Sequence, residues 1–445
     1  MKSTPICDFV EEYVKRDALR LHMPGHKGKK LFGVEEYDIT EVNGADVLYL
    51  GNGIIKESEE NARDLFSAGK TLYSTEGSSL SIRAILYLLK LYAKESGREP
   101  KILAARNAHK SFVNASAILD IDVDWIYSKD NVISCKVDLE ELEAELVKKE
   151  PTAVYITSPD YLGNIADIAE IAKICHKHNS LLLVDNAHGA YLKFLKKTLH
   201  PIDLGADICC DSAHKTLSAL TGAGYLHISE NAPDIFIENA EKAMSIFAST
   251  SPSYLIMQSL DRLNAILSDD YDEKLSVVVK AIEGLKSTLL DAGFRLVGSE
   301  PLKLTISAKE YGYTGEELSE MLEGENIVCE FADPDFVVMM FSYATSVDEL
   351  EALKAALCRI EKKKAIEERP PKLSRTKAIL KPSEAILSLS ERVAVKDARG
   401  RVLASAHIAC PPAIPIVVSG EMIDEDAIRC FEYYGVKECS VILDK

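Results

Sequence analysis

The sequence predicts an α/β protein with a mostly parallel sheet, followed by a smaller α+β domain and a further α+β domain at its C-terminal end. Three observations predict it. Short apolar runs alternate with amphipathic helical segments from about residue 60 to residue 230, the pattern of parallel strands joined by crossover helices. After Ser245 long helical segments dominate and the apolar runs become sparse, which ends the alternation. A charged, proline-containing stretch from Glu361 to Pro382 then precedes a last patterned region, as a linker does.

The strands expected in the large domain are Lys101 to Ala105, Ala153 to Thr157, Leu181 to Asp185 and Asp207 to Cys210. Between them, helices are expected over Ser79 to Tyr92, Leu139 to Lys148 and Ile168 to His178. The last of these carries Ile168, Ile171, Ala172 and Cys175 on one face, the stripe a crossover helix turns to a sheet. The smaller domain should contain helices Ser253 to Leu267, Glu273 to Ala292 and Val347 to Glu361, with strands near Leu302 to Ser307 and Asp335 to Phe341. Past the linker come a turn at Pro411-Pro412-Ala413-Ile414-Pro415, an apolar Ile416 to Val418 and a helix near Glu425 to Tyr434. The expected division is an N-terminal segment 1–60, a large domain 61–245, a small domain 246–365, a linker 366–383 and a C-terminal domain 384–445.

The 445 residues suffice for two or three domains with a substantial core. The 70 acidic against 52 basic residues give a formal charge of −18, a field that repels phosphate backbones and anionic lipid, so neither nucleic acid nor membrane is expected as a partner. Ten cysteines form no Cys-x-x-Cys pair, and Cys209 and Cys210 sit inside an apolar run, which fits reduced intracellular thiols. The first residues lack an apolar signal core and no stretch is long enough to cross a bilayer, so a cytoplasmic location is expected.

Lys215 carries the most chemical information. It follows the apolar run Asp207 to Cys210 in Asp211-Ser212-Ala213-His214-Lys215-Thr216, and a lysine at a strand end beside a partly buried pocket can form a Schiff base with a carbonyl cofactor. An isolated loop lysine would be the bland alternative. Asp185 closes the run Leu181 to Val184, so a carboxylate stands where α/β sheets bind ligands. It can pair with a protonated pyridine nitrogen and so make the ring an electron sink, or it can merely cap a helix. Ser74-Thr75-Glu76-Gly77-Ser78-Ser79 precedes a strong helix and offers hydroxyls and backbone N–H groups to a phosphate, or serves as a plain capping turn. His109, after Lys101 to Ala105, can stack on a flat ring or remain a solvated loop histidine. His22 and His26 have the spacing of a metal pair, but Pro24 and Gly25 between them oppose a helix, so no metal is expected there.

Taken in order, Leu21-His22-Met23-Pro24-Gly25-His26-Lys27-Gly28, Gly77-Ser78-Ser79, Arg106-Asn107-Ala108-His109-Lys110-Ser111, Asp185-Asn186-Ala187-His188-Gly189-Ala190, Ser212-Ala213-His214-Lys215 and Ser251-Pro252-Ser253-Tyr254 resemble the Orn/Lys/Arg decarboxylase family of fold type I enzymes dependent on pyridoxal 5′-phosphate (PLP). Near the C-terminal end, Cys410-Pro411-Pro412-Ala413-Ile414-Pro415 with Gly420-Glu421 is similar to the family's Pro-Pro-Gly-Ile-Pro segment. The resemblance implies Lys215 as Schiff-base lysine, Asp185 as pyridine-nitrogen partner and His109 as ring-stacking residue, with Gly77, Ser78, Ser79, Ser212 and His214 around the phosphate. It implies Ala187 and His188 near the other ring face, and Thr250 or Ser251 reaching a second subunit's cofactor in a homodimer with composite sites. The reaction implied is decarboxylation of arginine, lysine or ornithine in amino-acid and polyamine metabolism. Rival readings are another PLP reaction, such as that of an aminotransferase or lyase, or a binding protein that keeps PLP.

Several positions depart from the family pattern. Asp46-Val47-Leu48-Tyr49 stands where Asp-Asp-Leu-His is common, Asn186 where Glu is frequent, and Ala413 where Gly is usual. No wing domain precedes the motifs, which marks a short form and argues against large ring assemblies. For the distal cation of a basic substrate, Asp46 and Glu76 are the expected carboxylate partners.

Overall fold

Strands that are apolar along their whole length need cover on both faces, and this chain supplies it with helices between successive strands. The computed structural model describes residues 2–129, 133–372, 375–405 and 413–443. It divides into two compact units, one of Met1–Pro100, Thr152–Val154 and Ile168–Ser276, the other of Lys101–Pro151, Tyr155–Asp167 and Val277–Lys445.

In the first unit, strands Lys70–Ser74, Gly224–Ile228, Ile208–Asp211 and Leu181–Asp185 lie side by side in that order. Gly224–Ile228 runs antiparallel to both neighbours, whereas Ile208–Asp211 is parallel to Leu181–Asp185. Three of the four strands therefore point the same way. The register sets Asp185 level with Cys210, so the chain leaves both strands at the same sheet end, where α/β folds hold ligands. Helix Gly77–Glu95 buries Leu80, Ile82, Ala84, Ile85, Leu86, Leu88, Leu89 and Ala93, more than one stripe, as a helix covered on several sides requires.

In the second unit, Lys101–Ala105 and Asp122–Ile126 are parallel. Leu296–Val297, Lys303–Ser307, Phe336–Met340 and Phe331–Ala332 make a four-stranded antiparallel sheet. Ser390–Ala394, Glu438–Ile442 and Leu403–Ser405 make a three-stranded one, packed on a core of Val395, Leu403, Val417, Ile423, Ile428, Phe431 and Val441. These are the expected α/β, α+β and C-terminal α+β parts. The described residues of 361–381 form no helix or strand. Pro411 and Pro412 of the expected turn, like Cys410 before them, lie outside the described residues, and Ala413 after them adopts φ +55°.

Expected elements recur within a few residues, as with Ile208–Asp211 for Asp207 to Cys210 and Gly77–Glu95 for Ser79 to Tyr92. Lys70–Ser74, Asp122–Ile126 and Gly224–Ile228 escaped the periodicity because polar residues interrupt them. Thr71 and His227 are partners across neighbouring strands, and their side chains pair at 2.9 Å. A cross-strand polar pair thus occupies positions that periodicity reserves for apolar residues. Among the described residues no helix is long and apolar enough to cross a membrane.

Candidate active site

Lys215 belongs to a single helical turn, Ala213–Thr216, that starts two residues after strand Ile208–Asp211. Its Nζ lies 2.9 Å from Nε2 of the buried His188. His188 is delivered by the turn after the neighbouring strand, in which the Gly189 N–H donates to the Asn186 carbonyl. Asp185, at that strand's end, is 2 % exposed. Its Oδ1 accepts from the Ala187 N–H at 3.2 Å and faces the Cys210 thiol at 3.6 Å. It caps no helix: the following 3-10 segment Ala190–Phe194 has Gly189 at its N-cap.

Helix Gly77–Glu95 begins beside the same loop. Its N-cap Glu76 supplies no side-chain hydrogen bond, and a helix start of this kind carries the positive dipole end that attracts an anion. The Ser212 hydroxyl donates to that of Ser78 at 3.1 Å. Gly77 holds φ +66° and its N–H donates to the Gly222 carbonyl. A Cβ on Gly224 would stand 2.9 Å from the Asp211 carbonyl and 3.3 Å from the Ser78 nitrogen, so only glycine lets strand and helix start approach this closely. The His214 Nδ1 pairs with the Ala223 carbonyl at 2.8 Å. Burial lowers the His214 pKa, the Ala223 hydrogen bond opposes that, and the Lys215 charge adds to it.

Below these residues lies a polar network that no linear pattern announced. The fully buried Asp211 carboxylate meets His200 Nε2 at 3.1 Å and His227 Nε2 at 3.3 Å. Its other oxygen accepts from the Asn186 amide at 2.7 Å. Burial alone would raise the Asp211 pKa, but the charge and hydrogen bonds of the two imidazoles outweigh it and hold the carboxyl below its ordinary range. Asn186 stands where the family often has glutamate, and here its amide suits a carboxylate neighbour that a glutamate would repel. His200, Cys209 and Asp211 also bring ligand atoms within 4.8 Å of one another, yet hydrogen bonds already engage the carboxylate. Residues 200, 211 and 227 share no spacing signal, so only the fold could reveal them.

His109 lies in the second unit, where it caps helix Lys110–Ile118: its Nδ1 accepts from the Ser111 N–H at 3.1 Å.

Residues 4–297 match the family model "Orn/Lys/Arg decarboxylase, major domain", and residues 369–439 match "Orn/Lys/Arg decarboxylase, C-terminal domain". The chain belongs to the Orn/Lys/Arg decarboxylase family. This family member is therefore a decarboxylase-type enzyme. It is 30 % identical to the uncharacterized protein YaaO of Bacillus subtilis, over 96 % of this chain and 93 % of that one. It is 27 % identical to an arginine decarboxylase of the same organism, over 96 % and 92 %. Its fold is similar to the lysine decarboxylase LdcF of Francisella novicida, with TM-score 0.79 and 17 % identity over 99 % of this chain and 81 % of that one. The constitutive lysine decarboxylase of E. coli gives 0.75 and 19 % over 99 % and 82 %. These likenesses bear out the fold type I architecture expected from the motifs.

Within this decarboxylase-family chain the first unit brings together Gly77, Ser78, Ser79, Asp185, Ala187, His188, Ser212, His214 and Lys215. The outer residues behave differently. Asp46 is buried, and its carboxylate accepts from the backbone N–H groups of Val47, Gly53 and Ile55 at 2.9, 2.8 and 3.1 Å, which anchors the start of helix Ile54–Phe66. Tyr49, in place of the family's common histidine, is buried and donates its hydroxyl to the Tyr73 carbonyl at 2.6 Å. Glu76 is exposed and accepts from the Ser249 N–H at 2.7 Å. The same loop carries Thr250 and Ser251, both exposed.

Proposed function

We propose that this enzyme is a PLP-dependent α-decarboxylase of a basic amino acid, with arginine the first substrate to test. One observation carries the reading: the first unit holds at one sheet end the Lys215 amine, the Asp185 carboxylate and the Ser78, Ser79 and Ser212 hydroxyls at a helix start. PLP needs an amine for its aldehyde, a carboxylate for its ring nitrogen and N–H and O–H donors for its phosphate, and the residues present fit all three.

In this reading the bound cofactor supplies an electron sink for the pair left when CO₂ departs. Asp185 holds a proton on the ring nitrogen, and its burial keeps water from competing for it. Lys215 would hold the cofactor through its aldehyde. Ser78, Ser79 and Ser212, with Gly77 and His214, would surround the phosphate. His109 covers one ring face, and Ala187 and His188 line the other. For the substrate's distal cation we favour Glu76 over Asp46, since backbone N–H groups already engage the Asp46 oxygens.

Arginine is put first because curated relatives matching almost the whole chain are named arginine decarboxylases. We further propose a cytoplasmic homodimer in which Thr250 or Ser251 reaches the second copy's cofactor, and we retain the five-part division with boundaries at 60, 245, 365 and 383.

The test is a visible spectrum of the purified protein with PLP, before and after arginine, lysine and ornithine in turn, with released CO₂ measured in parallel. A cofactor band together with CO₂ from one of them supports the reading. A band without CO₂ favours another PLP reaction or a binding role, and no band after added PLP overturns it.

A further inference from the structure

The loop that carries His109 is tied at both ends to one later segment of the chain, residues 413–421, within the second unit. At its start, the Arg106 backbone N–H donates to the Ile126 carbonyl at 2.9 Å. The Arg106 guanidinium, 2 % exposed, sends its two terminal nitrogens to the carbonyls of Pro415 at 2.7 Å and Ile416 at 2.8 Å. Glu421 lies 3.7 Å from it and accepts from the Val418 N–H at 2.7 Å, so it opposes the buried charge while folding its own segment. The guanidinium carbon also stands 5.3 Å from the centre of the Trp125 ring.

At the loop's other end, the Lys110 N–H donates to the Ala413 carbonyl at 2.9 Å. That donor is one of the orphan groups of a helix start, here satisfied by a residue about three hundred positions away. Ala413 is fully buried and keeps a left-handed backbone at φ +55°, a conformation an alanine holds only when its surroundings impose it. Between these two ties stands His109, whose Nδ1 is committed to the Ser111 N–H. The position of its ring is therefore set by the position of the loop.

We infer that Arg106 is a positioning residue for His109, with residues 413–421 as the template it grips. This rests on the reading of His109 as the residue that covers the cofactor ring. The fork matters: two nitrogens of one plane meet two consecutive carbonyls, and a lysine ammonium offers a single point charge instead.

The experiment titrates PLP into cofactor-stripped, full-length R106K, H109A, the R106K/H109A double variant and the wild type, reading visible absorbance and visible circular dichroism. Far-UV dichroism and melting of the cofactor-free proteins report folding. R106K should weaken apparent PLP affinity about tenfold and change the visible dichroism, while the double variant should bind no more weakly than H109A alone. Additive losses in the double variant, or an unchanged dichroism in R106K, would overturn the inference. If H109A itself leaves affinity and dichroism unchanged, the role of His109 fails instead. Should R106K not fold, E421Q keeps the fork and the acceptor for Val418 but removes the opposing charge, and the same non-additivity with H109A is required of it.

Discussion

Lys215 Nζ stands 2.9 Å from Nε2 of His188, so these two side chains, 27 positions apart in sequence, share one hydrogen bond. An ammonium can be the donor only if His188 carries its own proton on Nδ1. We predict that His188→Ala slows PLP capture by about tenfold, a loss of the size expected when a hydrogen bond to a charged group is removed. Stopped-flow growth of the visible band on mixing stripped protein with PLP measures it. An unchanged rate would reduce the contact to packing.

Lys215→Ala should remove the lysine-bound cofactor band and all turnover. Asp185→Ala should leave a folded protein whose turnover falls by at least about a hundredfold, the usual penalty for losing one group aimed at developing charge. Spectra and CO₂ release decide both. A Lys215→Ala protein with the native band, or an Asp185→Ala protein with the native rate, would remove these residues from the chemistry.

Gly224→Ala tests the cup. Its methyl would meet backbone atoms of Asp211 at 2.9 Å and Gly77 at 3.1 Å, and neither can swing aside as a side chain would. We expect about 1–3 kcal/mol of lost stability, the cost of overpacking, with weaker PLP binding. Thermal melts of the stripped protein and a PLP titration report the two effects. A neutral substitution would mean that strand and helix start separate freely.

A pH effect follows from Glu59. Burial pushes its carboxyl up to about 8, although its bond from the Tyr73 N–H and nearby lysines oppose this. The unfolded chain ionises this group near its ordinary value of 4.5, while the folded chain keeps it protonated to about 8. Stability is therefore fully present below the lower value and declines as pH rises between the two, by at most about 1.4 kcal/mol per pH unit. Glu59→Gln retains an acceptor for Tyr73 and should flatten that part of the stability curve. Denaturant midpoints at pH 5, 6.5 and 8 check it, and an unchanged slope would assign the pH dependence elsewhere.

How far the sequence could be read differs from element to element. Leu181–Asp185 was plain because four apolar residues end in a charge, and helix Ile168–Lys177 because its apolar residues repeat at helical spacing. Lys70–Ser74 and Gly224–Ile228 were hidden, since Thr71 and His227 look unsuited to a core until each is seen to satisfy the other. The surroundings of Asp46 were hidden for a related reason. A carboxylate in a motif suggests a substrate partner, and only the path of the chain brings the Gly53 and Ile55 N–H groups to it.

The sequence by itself determined the fold class, the apolar strands and amphipathic helices around the site, the family, and the short motifs that hold Lys215, Asp185, His188 and the serines. All of these depend on residues within a few positions of one another, where spacing and geometry are linked through helix and strand repeats. The tertiary structure alone decided which polar side chains become buried partners. Asp211 with His200 and His227, and Arg106 with Pro415 and Ile416, are pairings across 11 to 310 positions. They exist because a buried polar group must find whatever partner the fold brings within about 3 Å, and no local rule in the chain records which one that will be.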